Sequence, residues 1–178
     1  METLKNKTTA LAALAVLIAT PAFVLASNNP PQKPLGERVR HELAMLPYLS
    51  VFDDLSFRVE NGTVTLFGEV TRPVLKSDAA GVLKHVEGVT RVDNQIEVLP
   101  LSSFDNQIRA REYRAIFGYG PLQRYRMGAL PSIHILVKNG NVTLKGFVST
   151  AMDKQLAFVR ANGVPGVFAV DNQLEIAR

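Results

Sequence analysis

The chain has 178 residues, contains no cysteine and carries a formal net charge of +4 at pH 7. Because cysteine is absent, neither a disulfide framework nor thiolate catalysis can contribute, and apolar burial must hold the fold together. The charge is unevenly distributed, since residues 35–100 contain 7 Lys or Arg and 10 Asp or Glu, whereas residues 101–178 contain 10 and 5. The first half therefore has a net charge of −3, and the second half, at +5, carries the basic surface.

The N-terminus has the pattern of a secretory signal peptide. Lys5 and Lys7 precede an uncharged apolar run over residues 10–18, which is followed by Pro21 and by small residues ending at Ala26. The alternative is an uncleaved membrane anchor, but the apolar run is shorter than the ~20 residues that a membrane-spanning helix needs. We therefore predict a signal peptide over residues 1–26, cleavage after Ala26 and export to the periplasm. Residues 27–34 contain three prolines and are predicted to form an extended linker.

The rest of the chain contains an internal duplication. Residues 59–98 align without a gap with residues 137–176, at an offset of 78, and 18 of the 40 aligned pairs are identical. Self-similarity of this length indicates two copies of one small structural unit rather than a single large fold. We predict a first domain over residues 35–100 and a second domain over residues 101–178.

Each copy contains a β-hairpin signal. Two runs of alternating apolar and polar residues flank Asn61-Gly62 in the first copy and Asn139-Gly140 in the second. Asn-Gly suits a type I′ turn, in which both central residues have positive φ. Gly68 and Gly146 stand at inward-facing positions of the second strand, where glycine indicates the close approach of a helix or another backbone.

The remaining elements follow in the same order in both copies. Leading helices are expected over residues 35–46 and 105–117, with Asp105 as the N-cap of the second. Further helices are expected over 73–86 and 151–161, and final strands over 94–99 and 172–177. The Asp-Asn-Gln trios at 93–95 and 171–173 are predicted to form capped turns. The fold class is α+β: two tandem αββαβ domains, each a three-stranded mixed sheet with two helices packed on one face.

This element order, the Val-x-Leu-x-Gly-x-Val strand and the Gly-Val-x-x-Val-x-Asn final segment resemble the BON domain, named for bacterial osmotically inducible and nodulation proteins. The resemblance covers residues 35–99 and 105–176 as a tandem pair. It implies a non-enzymatic, exported protein that binds phospholipid and protects the cell envelope during osmotic stress. The strand glycines Gly68 and Gly146 match the family pattern, and the family has no catalytic residues to transfer.

The two copies differ in one loop. The second copy is nine residues longer between its first helix and its hairpin, within a loop over residues 118–131. Arginine beside tyrosine suits a membrane interface, where the guanidinium pairs with phosphate and the ring lies at headgroup depth. The predicted lipid-binding residues are Arg109, Arg111, Arg114, Tyr119, Arg124, Tyr125 and Arg126. The alternative is that Tyr119, Leu122, Tyr125 and Met127 pack on their own domain or at its junction with the first copy, and leave the arginines solvated.

Other functions find little support in the sequence. His41, His85 and His134 have no metal-ligand spacing, and His134 is predicted to face away from the core. Asp53-Asp54 is interpreted as a solvated turn, no cofactor motif is present, and export argues against nucleic acid as a partner. We predict weak association with an anionic phospholipid membrane, chiefly through the second domain. The alternative is a protein-interaction or chaperone-like module that binds other envelope proteins without lipid dependence.

Overall fold

The computed structural model of the protein describes residues 33–128 and 131–177, which belong to one compact unit. The predicted signal peptide and its cleavage site lie outside these residues, as does the predicted linker apart from Lys33 and Pro34. Among the described residues, no helix is both long enough and apolar enough to cross a membrane.

The helices and strands repeat in the predicted order. The first copy consists of α1 (Leu35–Ala44), β1 (Asp54–Glu60), β2 (Thr63–Val70), α2 (Pro73–Leu83), β3 (Arg91–Asn94) and β4 (Glu97–Val98). The second consists of α3 (Ser103–Phe117), a 3₁₀ helix (Gly120–Arg126), β5 (Ile133–Lys138), β6 (Asn141–Val148), α4 (Ala151–Asn162), β7 (Ala169–Asn172) and β8 (Glu175–Ile176). The predicted α+β class with tandem αββαβ units is confirmed.

In each copy the second strand of the hairpin is the central strand of the sheet. β1 runs antiparallel to β2, and β3 and β4 both pair in parallel with the other side of β2. The second copy repeats this arrangement with β5, β6, β7 and β8. Each sheet therefore has three strand positions, and the third strand is interrupted where a single continuous strand was predicted.

The interruption is made by the Asp-Asn-Gln trio. The Asn94 side chain donates a hydrogen bond to the carbonyl of Lys76 in α2, at 2.6 Å, and accepts one from the backbone N–H of Ile96, at 3.2 Å. Asn172 makes the equivalent bonds to Lys154 and Leu174. Each asparagine thus ties a helix to the break in the last strand, which confirms the capped turn.

The Asn-Gly turns and the strand glycines have the predicted backbone. Asn61 and Gly62 have φ values of 49° and 79°, and Asn139 and Gly140 have 52° and 76°, as a type I′ turn requires. Gly68 (φ +120°) and Gly146 (φ +106°) lie so close to the neighbouring strand that a Cβ atom would collide with the carbonyl of Asp54 or Ser132. Each glycine therefore closely approaches the backbone of the neighbouring strand, and not a helix.

Asp105 does not cap α3, and that prediction was wrong. The N-cap is Ser102, whose hydroxyl accepts a hydrogen bond from the Asp105 N–H at 3.1 Å. The buried Asp105 carboxylate instead accepts from the backbone N–H groups of Asn139, at 3.0 Å, and Gly140, at 2.8 Å. Asp105 therefore fixes the hairpin turn of its own copy, 34 residues further along the chain.

Each copy buries its own apolar core between sheet and helices. The first core includes Val39, Leu43, Val64, Leu66, Val70, Leu75, Ala79, Leu83 and Ile96. The second includes Ile108, Ile116, Phe117, Leu122, Tyr125, Ile133, Ile135, Val137, Leu144 and Leu174. Val51, which precedes β1 of the first copy, belongs to the second core, so the two copies share a packed junction.

The interpretation of Asp53-Asp54 as a solvated turn was also wrong. Asp53 is 1% exposed, and its carboxylate accepts hydrogen bonds from the backbone N–H groups and hydroxyls of Ser50 and Thr71. Asp54 forms an ion pair with Lys145 of the second copy, at 3.0 Å. The Nδ1 atom of His134 lies 2.7 Å from the Asp53 carbonyl oxygen, so this histidine faces the first copy rather than solvent. These residues join the two copies.

Candidate functional site

The described part of the inserted loop, residues 118–128, packs largely on its own domain. It forms the 3₁₀ helix Gly120–Arg126, in which Leu122 is fully buried and Tyr125 is 6% exposed within the second core. Tyr119 is partly buried against the same core. Met127 differs from the alternative prediction, because it is 73% exposed. The loop therefore extends the second core. For Leu122 and Tyr125, this agrees with the alternative prediction that they pack on their own domain rather than contact a membrane.

A hydrogen-bond network around Asp153 holds the loop in place. The Tyr125 hydroxyl donates to Asp153 Oδ2, at 2.8 Å, and accepts from the Ser149 N–H, at 2.9 Å. Arg124 pairs with the same carboxylate. Burial raises the pKa of Asp153, but hydrogen bonds from Thr150 and Tyr125 together with the Arg124 charge outweigh burial and lower it overall. Arg124 and Tyr125 thus have structural partners at the N-terminus of α4.

Arg109 is buried as well. Its guanidinium donates to the Val137 carbonyl, at 2.6 Å, and to Asn106 Oδ1, at 2.7 Å. Burial lowers the pKa of Arg109, and the nearby carboxylates of Asp105 and Asp53 partly oppose that change. Because Arg109 and Tyr125 are each 6% exposed, neither is available to a membrane surface. Their assignment to an exposed lipid-binding surface was wrong.

Three arginines remain together at the surface of the second copy. A cleft of about 370 Å³ between α3 and α4 is lined by Arg111, Arg114 and Arg160, with Ala115, Val159, Gly163, Val164 and Pro165. Arg111 donates to the Pro165 carbonyl, at 3.0 Å, and Arg160 donates to the Ala115 carbonyl, at 3.1 Å. No acidic side chain lines this cleft. We call it the arginine cleft.

Aromatic side chains border the arginine cleft. The ring of Tyr119 lies under the guanidinium of Arg160, with 5.0 Å between the ring centroid and Cζ. Phe104 and Phe168 form an exposed pair with centroids 6.1 Å apart, and Phe168 is 74% exposed. A Cβ atom added at Gly166 would lie 3.4 Å from Phe104 and 3.6 Å from Arg111, so the pair is next to the cleft. The surface combines guanidinium groups with exposed apolar rings.

The first copy has a cleft at the equivalent place with different charges. It has a volume of about 340 Å³ and is lined by Lys33, Arg38, His41, Glu42, Val82, His85, Val86 and Glu87. At the offset of 78, Val82 stands where the second copy has Arg160, and Glu87 stands where it has Pro165. The arginine cleft is therefore specific to the second copy.

The structure thus divides the predicted lipid-binding residues. Arg111 and Arg114 line the cleft, and Tyr119 borders it. Arg126 is exposed but does not line the cleft, and Arg124 is paired with Asp153. Arg160, Phe104 and Phe168 were not predicted. Arg160 could have been found from the repeat, because it replaces the apolar Val82 at an otherwise equivalent helical position.

Two αββαβ units with a shared junction define a tandem α+β protein, and its second unit carries a basic surface cleft. A family model described as "BON domain" matches residues 33–100 and 124–178. The chain belongs to the BON-domain family.

Solved structures of CdsD, a structural protein of the Type III secretion system of Chlamydia trachomatis, are also similar. One is 14% identical, with a TM-score of 0.32, and the match covers 81% of this chain and 93% of that chain. Its C-terminal domain is 13% identical, with a TM-score of 0.29 and coverage of 83% and 99%. A comparison with curated proteins finds no match.

Proposed function

We propose that this BON-domain protein associates weakly and reversibly with anionic phospholipid surfaces of the cell envelope through the arginine cleft of its second copy. The observation that carries the proposal is the cleft itself: Arg111, Arg114 and Arg160 converge without an acidic side chain in the lining. Guanidinium groups bind phosphate oxygens through parallel hydrogen bonds, so the cleft suits a lipid headgroup.

The neighbouring aromatic side chains support a membrane rather than a free anion. Phe104 and Phe168 are exposed beside the cleft, where they can insert among acyl chains once the headgroup is bound. The electrostatic part is limited to about 1 kcal/mol for each basic residue near an anionic leaflet. Three arginines therefore give weak binding that salt screens. A role in protecting the envelope during osmotic stress would follow from such binding.

Liposome sedimentation tests the proposal. The full chain without its predicted signal peptide should sediment with phosphatidylglycerol vesicles at low salt, and not with phosphatidylcholine vesicles. The variant Arg114→Gln with Arg160→Gln should weaken binding roughly 20-fold or more, on the basis of about 1 kcal/mol per charge. Arg114→Lys with Arg160→Lys keeps the charge and should bind within a few-fold of the parent. Both variants should show the parent thermal melting temperature within a few degrees.

Arg126→Gln is the matched control, because it removes one exposed arginine of the same domain outside the cleft. It should leave sedimentation nearly unchanged. Equal failure to bind both kinds of vesicle at low salt would overturn the proposal. Binding that survives the double glutamine substitution but is lost with Arg126→Gln would overturn the assignment to the arginine cleft.

A further inference from the structure

The two copies use equivalent sheet edges differently. β1 and β5 are the outer strands of their sheets. The edge of β5 is covered, because the Ile135 N–H donates to the Val51 carbonyl of the first copy at 2.8 Å. Phe57 is the equivalent of Ile135, and both pair with equivalent residues of the central strand. The Phe57 N–H therefore also points away from the sheet, and no other segment among residues 33–128 and 131–177 accepts from it.

The apolar face behind this edge is less buried in the first copy. Ile133 and Ile135 of β5 are fully buried, whereas the equivalent Leu55 and Phe57 of β1 are only half-buried. A cleft of about 480 Å³ lies between α1 and β1, with an apolar lining formed by Leu43, Ala44, Leu49, Leu55 and Phe57. We call it the β1 cleft.

The helices beside the two edges correspond residue by residue. Val39 of α1 and Ile108 of α3 hold equivalent core positions. The register is supported by Leu35 and Phe104, 69 residues apart, which lie beside the equivalent glycines Gly88 and Gly166. In this register Arg40 corresponds to Arg109, and Ala44 corresponds to Tyr113.

The second copy shows what such a site accommodates. Val51 enters the core, the Phe52 ring packs on Tyr113 with centroids 6.3 Å apart, and the Asp53 charge acts on Arg109. The segment Val51-Phe52-Asp53 thus supplies an apolar side chain, an aromatic ring and a carboxylate. In the first copy, Arg40 and Ala44 line the β1 cleft at the positions equivalent to Arg109 and Tyr113.

We propose that the β1 cleft binds an extended segment of a partner protein that adds along the edge of β1, with an apolar residue, an aromatic residue and an acidic residue in succession. The partner's backbone carbonyl accepts from the Phe57 N–H, its apolar side chain fills the space above Leu55, and its carboxylate faces Arg40. Strand addition of this kind takes its affinity from the backbone and its specificity from side-chain pockets.

The charges of the β1 cleft are compatible with an acidic segment. Asp53 and Asp54 also line the cleft, but Asp53 already accepts four hydrogen bonds and Asp54 is paired with Lys145. Arg40 is exposed and has no ion pair among the described residues. The cation without a partner in this cleft is therefore available to the incoming carboxylate. This surface is on the first copy, so the inference does not depend on lipid binding by the second.

A peptide with blocked ends and the sequence of residues 49–54, Leu-Ser-Val-Phe-Asp-Asp, tests the proposal against the full mature chain. Titration followed by ¹H–¹⁵N NMR should give saturable shifts of the Phe57 amide, while the Ile135 amide stays unchanged. Ala44→Arg, which fills the cleft, should abolish the shifts. Arg40→Glu should weaken binding by roughly five-fold, in keeping with a single exposed charge pair. A peptide with lysine in place of its first aspartate should bind the Arg40→Glu variant more tightly than it binds the parent protein.

Several results would overturn the proposal. Shifts at Ile135 instead of Phe57 would mean that the peptide displaces Val51 from the second copy. Failure to observe saturable shifts at millimolar peptide would exclude strand addition at β1. Binding that is equally strong in the Ala44→Arg variant, with the amide spectrum otherwise preserved, would place the peptide outside the β1 cleft.

Discussion

Glu112 of α3 occupies the helical position that Leu43 occupies in α1, four residues after the equivalent core residues Ile108 and Val39. Leu43 is part of the first apolar core, whereas Glu112 is fully buried and neither of its carboxylate oxygens has a hydrogen-bond partner among the described residues. Burial raises the pKa of Glu112 to about 8. The carboxyl group is therefore mostly protonated in the folded protein at neutral pH.

This pKa makes the stability of the protein depend on pH. The unfolded chain ionises Glu112 near its ordinary pKa of 4.5, so between pH 4.5 and about 8 the folded state binds more protons than the unfolded state. The contribution of Glu112 to the free energy of unfolding should fall as the pH rises through this range and level off above it. The total decrease is on the order of 4 kcal/mol. Urea unfolding at pH 5, 7 and 9 measures it.

Two substitutions isolate the effect of Glu112. Glu112→Gln removes the ionisable group and should remove most of the decrease between pH 5 and pH 9. Glu112→Leu introduces the residue that the first copy has at this position. At pH 8 the leucine variant should have a higher free energy of unfolding than the glutamine variant, because leucine leaves no buried polar group without a partner. A parent protein and a glutamine variant with the same pH slope would contradict the raised pKa.

Tyr125→Phe should destabilise the second copy. The Tyr125 hydroxyl bonds to Asp153, Ser149 and Arg124, and its loss removes the partly buried hydrogen bond from the Ser149 N–H. We expect a decrease of about 1–3 kcal/mol in the free energy of unfolding. Arg126→Gln changes an exposed neighbour and should alter stability by less than about 0.5 kcal/mol. Comparable denaturation midpoints for the two variants would show that the hydroxyl network contributes little.

The strand glycines provide a second stability test. Gly68→Ala should cost about 2 kcal/mol or more, since alanine is strained at φ +120° and its Cβ would meet the Asp54 carbonyl. Gly81→Ala is the matched control, because Gly81 lies inside α2 and a Cβ there meets no atom within 4 Å. It should stabilise the protein by roughly 0.5–1 kcal/mol through helix propensity. Thermal melting of both variants should therefore move in opposite directions.

The sequence predicted a structural feature correctly where the interacting residues are close along the chain, or where both copies of the repeat show the same pattern. The Asn61-Gly62 turn and the role of Asn94 follow from local backbone requirements and from two matching copies. It failed for Asp53 and Asp105, because their acceptor roles depend on Thr71 and Asn139, which only folding brings near.

The candidate site was predictable only in part for the same reason. Arg111 and Arg114 were grouped by sequence with Arg109, but helical geometry places Arg109 in the core and the other two in a cleft. Arg160 joins them from α4, 46 residues after Arg114, and no local pattern marks that approach. Charge composition pointed to the half of the chain that contains the arginine cleft, and packing alone decided which arginines remain at its surface.

The Asp54–Lys145 pair should couple the stability of the two copies. Both side chains are partly buried, at 16% and 29% exposure, so solvent screens their attraction less than it would at the surface. A double-mutant cycle with Asp54→Asn and Lys145→Gln should give a coupling energy of about 1 kcal/mol from urea denaturation. Arg58 and Glu60, paired at 3.8 Å with both side chains about 70% exposed, form the matched control, for which we expect nearly zero. Equal coupling in the two cycles would mean that burial at the junction adds nothing to the ion pair, and that the copies are joined by Val51 and the backbone bond to Ile135 instead.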